Sequence, residues 1–120
     1  MNLIRCSGDI VILNDAYNAN PTSMEAALGN FATVESDQKI AALGDMLELG
    51  DESLAEHVRI AAMALDLGLQ RVCFVGTEFA KALATFEDLP ADKVISFDTS
   101  AELAEWFTAN PCQGSIILIK

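Results

Sequence analysis

Basic residues are scarce in this chain: Lys and Arg together number 7 against 18 Asp and Glu, a formal charge of −11 over 120 residues. A surface of that sign repels phosphate backbones and anionic lipid, which argues against a nucleic-acid or membrane-surface binder. Beyond that exclusion, acidity reports only a solvated exterior. Cysteine is equally sparse. Cys6, Cys73 and Cys112 are odd in number, far apart and without a CxxC pair, so they read as reduced structural thiols rather than a disulfide framework. Cys73, inside RVCFVG, reads as a small buried hydrophobe. No charged-then-apolar leader is visible, and no apolar run approaches the roughly 18 residues of a membrane span. The expectation is a soluble, cytoplasmic protein.

What is present is apolar and regularly patterned. Hydrophobic residues make up 52% and charged residues 21%, the balance of a compact α/β protein. The length suits a single domain over residues 1–120 with one core. DIVILND (9–15) reads as a strand, with a short strand at 2–5 before it and Ser7-Gly8 turning between them. Pro21 to about Thr33 reads as a helix with Met24, Leu28 and Phe31 on its apolar stripe. KIAAL (39–43) is the next strand. A second helix follows the loop GDMLELGDE, with Leu54, Val58, Ala61, Ala62 and Leu65 inward, a Ser53/Glu56 capping box and Gly68 past its end.

The alternation continues with a strand at 71–75 and a helix capped by Thr77, with Phe79, Leu83 and Phe86 inward. A strand at 93–96 and a helix capped by Thr99 and Glu102 come next, the helix carrying Leu103 and Phe107 and stopping before Pro111; a strand at 115–120 ends the pattern. Near-continuous Val/Ile strands between helices imply a Rossmann-like three-layer α/β fold. Its sheet is mainly parallel with an antiparallel edge strand, and helices cover both faces. An apolar strand at one end and an abrupt entry at the other read as a piece of a longer polypeptide.

In such sheets ligands gather outside the carboxyl ends of the strands. The stretch NDAYNANP (14–21) lies there and contains no glycine, so it is no phosphate cradle of the P-loop or dinucleotide type. Asn20 suits the N-cap and Pro21 the first helical position. Asp15 has two readings: a carboxylate accepting both hydroxyls of a ribose diol, or a loop acid satisfied by neighbouring amides. Tyr17 and Asn18 offer a stacking face and an amide, or simply cover the turn. The loop after the next strand should lie beside the first. Its Asp45 and Glu48 suit an ammonium group, or are solvated loop acids. His57, the single histidine, is either a partly buried structural residue or a ligand contact.

NDAYNANPTSM followed by KIAALGDMLELG, Ser53 and His57 resembles the C-terminal domain of the Mur ligases. The resemblance runs end to end and is nearest to the type that adds D-alanyl-D-alanine to UDP-N-acetylmuramoyl-tripeptide in peptidoglycan synthesis. It implies the third domain of a three-domain enzyme, in which the first holds the UDP-sugar and the central one holds ATP phosphates and Mg2+. ATP activates the substrate carboxylate as an acyl phosphate, which the dipeptide amine attacks. The resemblance makes Asp15 a ribose-contacting acid with Tyr17, Asn18 and Asn20 beside it on the nucleotide side. It puts Asp45 and His57 on the amino-substrate side. No catalytic group and no metal ligand fall in this chain, so the isolated piece is expected to be inactive and open to self-association. The family pattern continues past ILIK with a Gly-Ser-Arg loop and a closing helix, which do not follow here. A phosphoacceptor receiver domain is the rival of similar size, but its third core strand would end in an aspartate where this chain reads VCFVGT. An inert interaction module is the remaining alternative.

Overall fold

Val, Ile and Leu runs too short for helices pair into one sheet in the computed structural model. It describes residues 2–6, 10–14, 20–35, 38–110 and 116–120, the first two segments by their backbone. The elements in order are β1 (Asn2–Cys6), β2 (Ile10–Asn14), α1 (Pro21–Ala32), β3 (Lys39–Gly44), α2 (Ser53–Leu65), β4 (Arg71–Val75), α3 (Thr77–Leu83), β5 (Val94–Phe97), α4 (Ser100–Ala109) and β6 (Ile116–Ile119). The spatial order is β1-β2-β6-β3-β4-β5. β6, β3, β4 and β5 are mutually parallel, β2 lies parallel to β6, and β1 pairs antiparallel with β2.

This order follows from handedness. From β2 the chain steps across the sheet through β3, β4 and β5, with α1, α2 and α3 on one face. It then has to return. A right-handed crossover in the reverse direction carries its helix over the opposite face, so α4 packs there and β6 enters between β2 and β3. An α/β architecture with helices on both faces is thus present, as the periodicity implied.

The strands divide their side chains between two cores because successive residues point to opposite faces. Ala41, Leu43, Val72, Phe74 and Leu118 join Met24, Leu28 and Phe31 of α1, Ile60, Ala61 and Ala64 of α2, and Phe79 of α3. Ile40, Ala42, Cys73 and Ile117 face the other way, toward Leu103 of α4 with Phe97 and Phe107. The first core is the larger because three helices cover that face and one covers the other. Arg59 of α2 bridges Glu56 and Glu25 at 2.9 and 3.1 Å, tying α1 to α2. The Glu56 carboxylate, and then that of Glu25, raises the guanidinium pKa above its ordinary value.

Several local expectations need correction. Ser53 and Glu56 form no capping box, because the 3-10 turn Gly50–Glu52 runs directly into α2 and makes Ser53 already helical. The buried face of α2 is His57, Ile60, Ala61 and Ala64, while Leu54 is 48% exposed and Ala62 is also exposed. The buried stripe is thus rotated about the helix axis from the one the apolar spacing implies. Gly68 lies beyond the cap residue Asp66, in a turn with φ 68°. Thr77 is the first residue of α3 rather than its cap, and Phe86 lies past the end of α3, packed on the larger core. Thr99 does cap α4, accepting from the Glu102 amide at 3.2 Å, but the Glu102 carboxylate accepts from the Asp98 amide instead of closing a box. The Ser7-Gly8 turn lies outside the described residues.

Candidate functional site

All the parallel strands end at one rim of the sheet, the side where an α/β fold presents its loops to ligands. Three backbone bonds stitch that rim together. The Asp45 amide donates to Val75 O at 3.1 Å, the Gly76 amide to Phe97 O at 2.9 Å, and the Lys120 amide to Ala42 O at 3.0 Å. The ends of β3, β4 and β5 are thereby held in a common frame. The strands that lead into the two loops, β2 and β3, are not neighbours in the sheet, because β6 inserts between them.

The first of these loops leaves β2 at Asn14 and re-enters described structure at Asn20. Asp15, Tyr17 and Asn18 lie outside the described residues. Asn20 is the N-cap of α1, with φ −142° and ψ 170°. Its side-chain oxygen accepts from the Ser23 amide at 2.9 Å, and Ser23 Oγ accepts from the Asn20 amide at 2.9 Å. Two orphan amides of the helix start are satisfied reciprocally, with Pro21 supplying a residue that has no N–H to satisfy.

Asp45 begins the second loop, and the structure puts its carboxylate in a place that neither sequence reading named. One oxygen accepts from the Glu78 amide and the other from the Phe79 amide, each at 3.0 Å. These are amides of the first turn of α3, whose own cap position, Gly76, has no side chain. Asp45 therefore caps a helix that α2 and β4 separate from it in sequence. It is neither a solvated loop acid nor, through these lone pairs, a simple ammonium acceptor. Met46 follows it into the core at 1% exposure. Leu47 then emerges at 74% exposure, and Glu48 is exposed in the left-handed region at φ 63°. Among the described residues Glu48 has no ion-pair partner.

His57 is fully buried, which sharpens the sequence reading of a partly buried residue. Its Nε2 accepts from the Met46 amide at 3.0 Å. Its Nδ1 lies 2.7 Å from Ser53 O, so it carries the proton and donates to that carbonyl; Ser53 Oγ is 3.3 Å away. The ring meets Phe79 edge-on, with centroids 4.7 Å apart. Both nitrogens are thus engaged inside the protein. Any influence of His57 on the amino-substrate side runs through Met46 and the loop it belongs to.

Reading the sequence missed two rim residues. Gly76, with φ 117°, connects β4 to α3, and a β-carbon there would overlap the Asp45 carboxylate. Lys120 follows β6 at 8% exposure, between the strands that carry the two loops. Its signal was a lysine closing the apolar run SIILI, at the rim where ligands approach.

The comparisons with known proteins agree with this architecture. The family model described as "Mur ligase, glutamate ligase domain" matches residues 1–120. The UDP-N-acetylmuramoyl-tripeptide–D-alanyl-D-alanine ligase of Bacillus subtilis is 35% identical over all of this chain, which spans 27% of that relative. The ligase of the same name from Treponema pallidum is 33% identical over 92% of this chain and 24% of its own length. Among solved structures, MurF from Acinetobacter baumannii superposes with a TM-score of 0.75 at 30% identity, covering 98% of this chain and 26% of that one. The Thermotoga maritima MurF ligase, solved in complex with ADP, gives 0.77 at 21% identity over 99% of this chain and 26% of its own, a likeness of fold. The chain thus spans about a quarter of the length of these relatives. A match over its whole length, on a sheet of this order, shows that the chain belongs to the Mur ligase family, in its glutamate ligase domain.

Proposed function

We propose that this chain is the third, closing domain of an ATP-dependent ligase that joins D-alanyl-D-alanine to UDP-N-acetylmuramoyl-tripeptide. The observation that carries the reading is the end-to-end match to the Bacillus subtilis ligase of that name, which includes both rim loops. The reaction so assigned transfers a phosphoryl group from ATP to the tripeptide carboxylate. The dipeptide amine then attacks the acyl carbon, and phosphate leaves. Charge develops on the phosphoryl oxygens, so cations and amides are required where transfer occurs. Among the described residues no three His, Cys, Asp or Glu side chains are grouped to hold a metal, and the loop after β2 has no glycine. In this reading magnesium and the phosphates are held by the other domains of the polypeptide, as the family resemblance implies.

This domain's part is to orient. Asp15 contacts the ribose of ATP, with Tyr17, Asn18 and Asn20 beside it. The loop carrying Asp45, braced by His57, faces the incoming dipeptide. Placing two reactants in register contributes up to roughly 7–11 kcal/mol in favourable cases, and closure keeps water from the acyl phosphate. The ligase works in the cytoplasm, and no helix among the described residues is long and apolar enough to cross a membrane.

The test is steady-state ligation by the complete polypeptide. An Asp15→Ala change is expected to raise the KM for ATP while the melting temperature stays put; an unmoved KM would remove the ribose assignment. The chain by itself is expected to release no phosphate from ATP. Turnover by a pure preparation would overturn the division of labour.

A further inference from the structure

The loop from Gly44 to Leu49 is held at two successive residues, one to α3 and one to α2. Asp45 is fastened to the first turn of α3 by both carboxylate oxygens. The Met46 amide is fastened to His57 Nε2. The His57 ring is in turn fixed by Ser53 O and by its edge contact with Phe79, the residue whose amide donates to Asp45. The circuit Asp45–Phe79–His57–Met46 closes on itself and joins β3, α2 and α3. Only the tip stands outside it. There Leu47 is 74% exposed and Glu48 adopts the left-handed backbone conformation, φ 63°, that non-glycine residues rarely take.

We propose that His57 is a positioning residue for the amine-binding side of the ligation, acting through the Met46 amide to hold the Leu47–Glu48 tip toward the incoming dipeptide. The inference rests on the ligase reading above. A histidine suits the task because it accepts from one backbone group and donates to another through a rigid ring, so the loop and α2 cannot shift independently. An apolar residue would fill the space but leave the buried Met46 amide without an acceptor. The tip then presents a methyl-bearing side chain and a carboxylate, chemistry that suits an alanine side chain and an ammonium group.

The experiment is steady-state kinetics of the complete polypeptide with KM values for the dipeptide and for ATP measured separately, on His57→Leu, His57→Gln and Glu48→Asn. Glutamine places an acceptor near the Nε2 position. Asparagine tolerates the left-handed backbone while removing the charge. His57→Leu is expected to raise the dipeptide KM about tenfold, within the cost of misplacing a reactant by an ångström, with the ATP KM within about twofold; Gln should recover part of the loss. Glu48→Asn should raise the dipeptide KM with the melting temperature unchanged. If His57→Leu fails to fold, the Gln and Asn variants decide. An unmoved dipeptide KM, or dipeptide and ATP KM values rising together, would overturn the positioning role. If the unaltered polypeptide ligates no dipeptide, the ligase reading itself falls and takes the inference with it.

Discussion

The carboxylate of Asp45 occupies the space that a β-carbon on Gly76 would need. The two residues are 31 positions apart in the chain, and together they make one helix start: Gly76 supplies the sharp backbone and Asp45 the acceptors. A helix cap divided between two loops welds the ends of β3 and β4.

Replacing Gly76 with alanine should therefore be among the more damaging single changes here. The new methyl group meets Asp45, and φ 117° is a conformation L side chains rarely adopt. Urea denaturation is expected to show a loss of about 3 kcal/mol, combining backbone strain with a displaced cap. A loss below about 1 kcal/mol would mean that the rim relaxes at little cost.

Asp45 itself can be graded. Asp45→Asn keeps one side-chain acceptor for the two amides of Glu78 and Phe79, and Asp45→Ala keeps none. Alanine should cost about 1–2 kcal/mol and asparagine less, measured by thermal melts. Equal losses would show that the geometry of the carboxylate, not its acceptors, supports α3.

The observed face of α2 reverses two residues: Leu54, expected inward, is outside, and Ile60, absent from the expected stripe, is inside. Ile60 is fully buried, whereas Leu54 is 48% exposed. Ile60→Ala should cost about 2–5 kcal/mol, and Leu54→Gln should stay within about 0.5 kcal/mol. Chemical denaturation of the two variants side by side checks this. Comparable losses would mean that Leu54 also packs inward.

Asn20 has a cap role seen in the structure and a proposed place on the nucleotide side. Aspartate caps about as well as asparagine, and alanine does not. Asn20→Ala should cost about 1 kcal/mol, while Asn20→Asp should leave stability nearly unchanged. A raised KM for ATP in the stable Asp variant of the complete polypeptide would then isolate the nucleotide contact from the capping one. An unchanged KM would leave the residue to its cap.

Much of the fold was legible because its signals are local. Period-2 and period-3.6 patterns located the strands and helices closely, apart from the end of α3, which stops at Leu83 and leaves Phe86 beyond it, and the Asn20-Pro21 start of α1 was read from residues adjacent in sequence. The errors also have local causes. Ser53 looked like a cap because the pattern Ser-x-x-Glu fits one, but the preceding turn Gly50–Glu52 already coils in helical register. The stripe of α2 was misjudged because a histidine was not counted as core; hydrogen-bonded at both nitrogens, it packs as one. The YNANP and LGDMLELG stretches carried the family resemblance from the chain alone.

The roles of Asp45, His57 and Gly76 were not readable in this way, since each is defined by a partner distant in sequence. Sequence alone determined the acidic surface, the α/β class and the residues available at the rim, because composition and short-range periodicity are properties of the unfolded chain too. Tertiary structure decided that β6 separates β2 from β3 and that a carboxylate offered to solvent by its sequence context instead caps a remote helix. The reason is that buried amides must find acceptors wherever the packed chain brings them, and packing places neighbours together without regard to their order along the backbone.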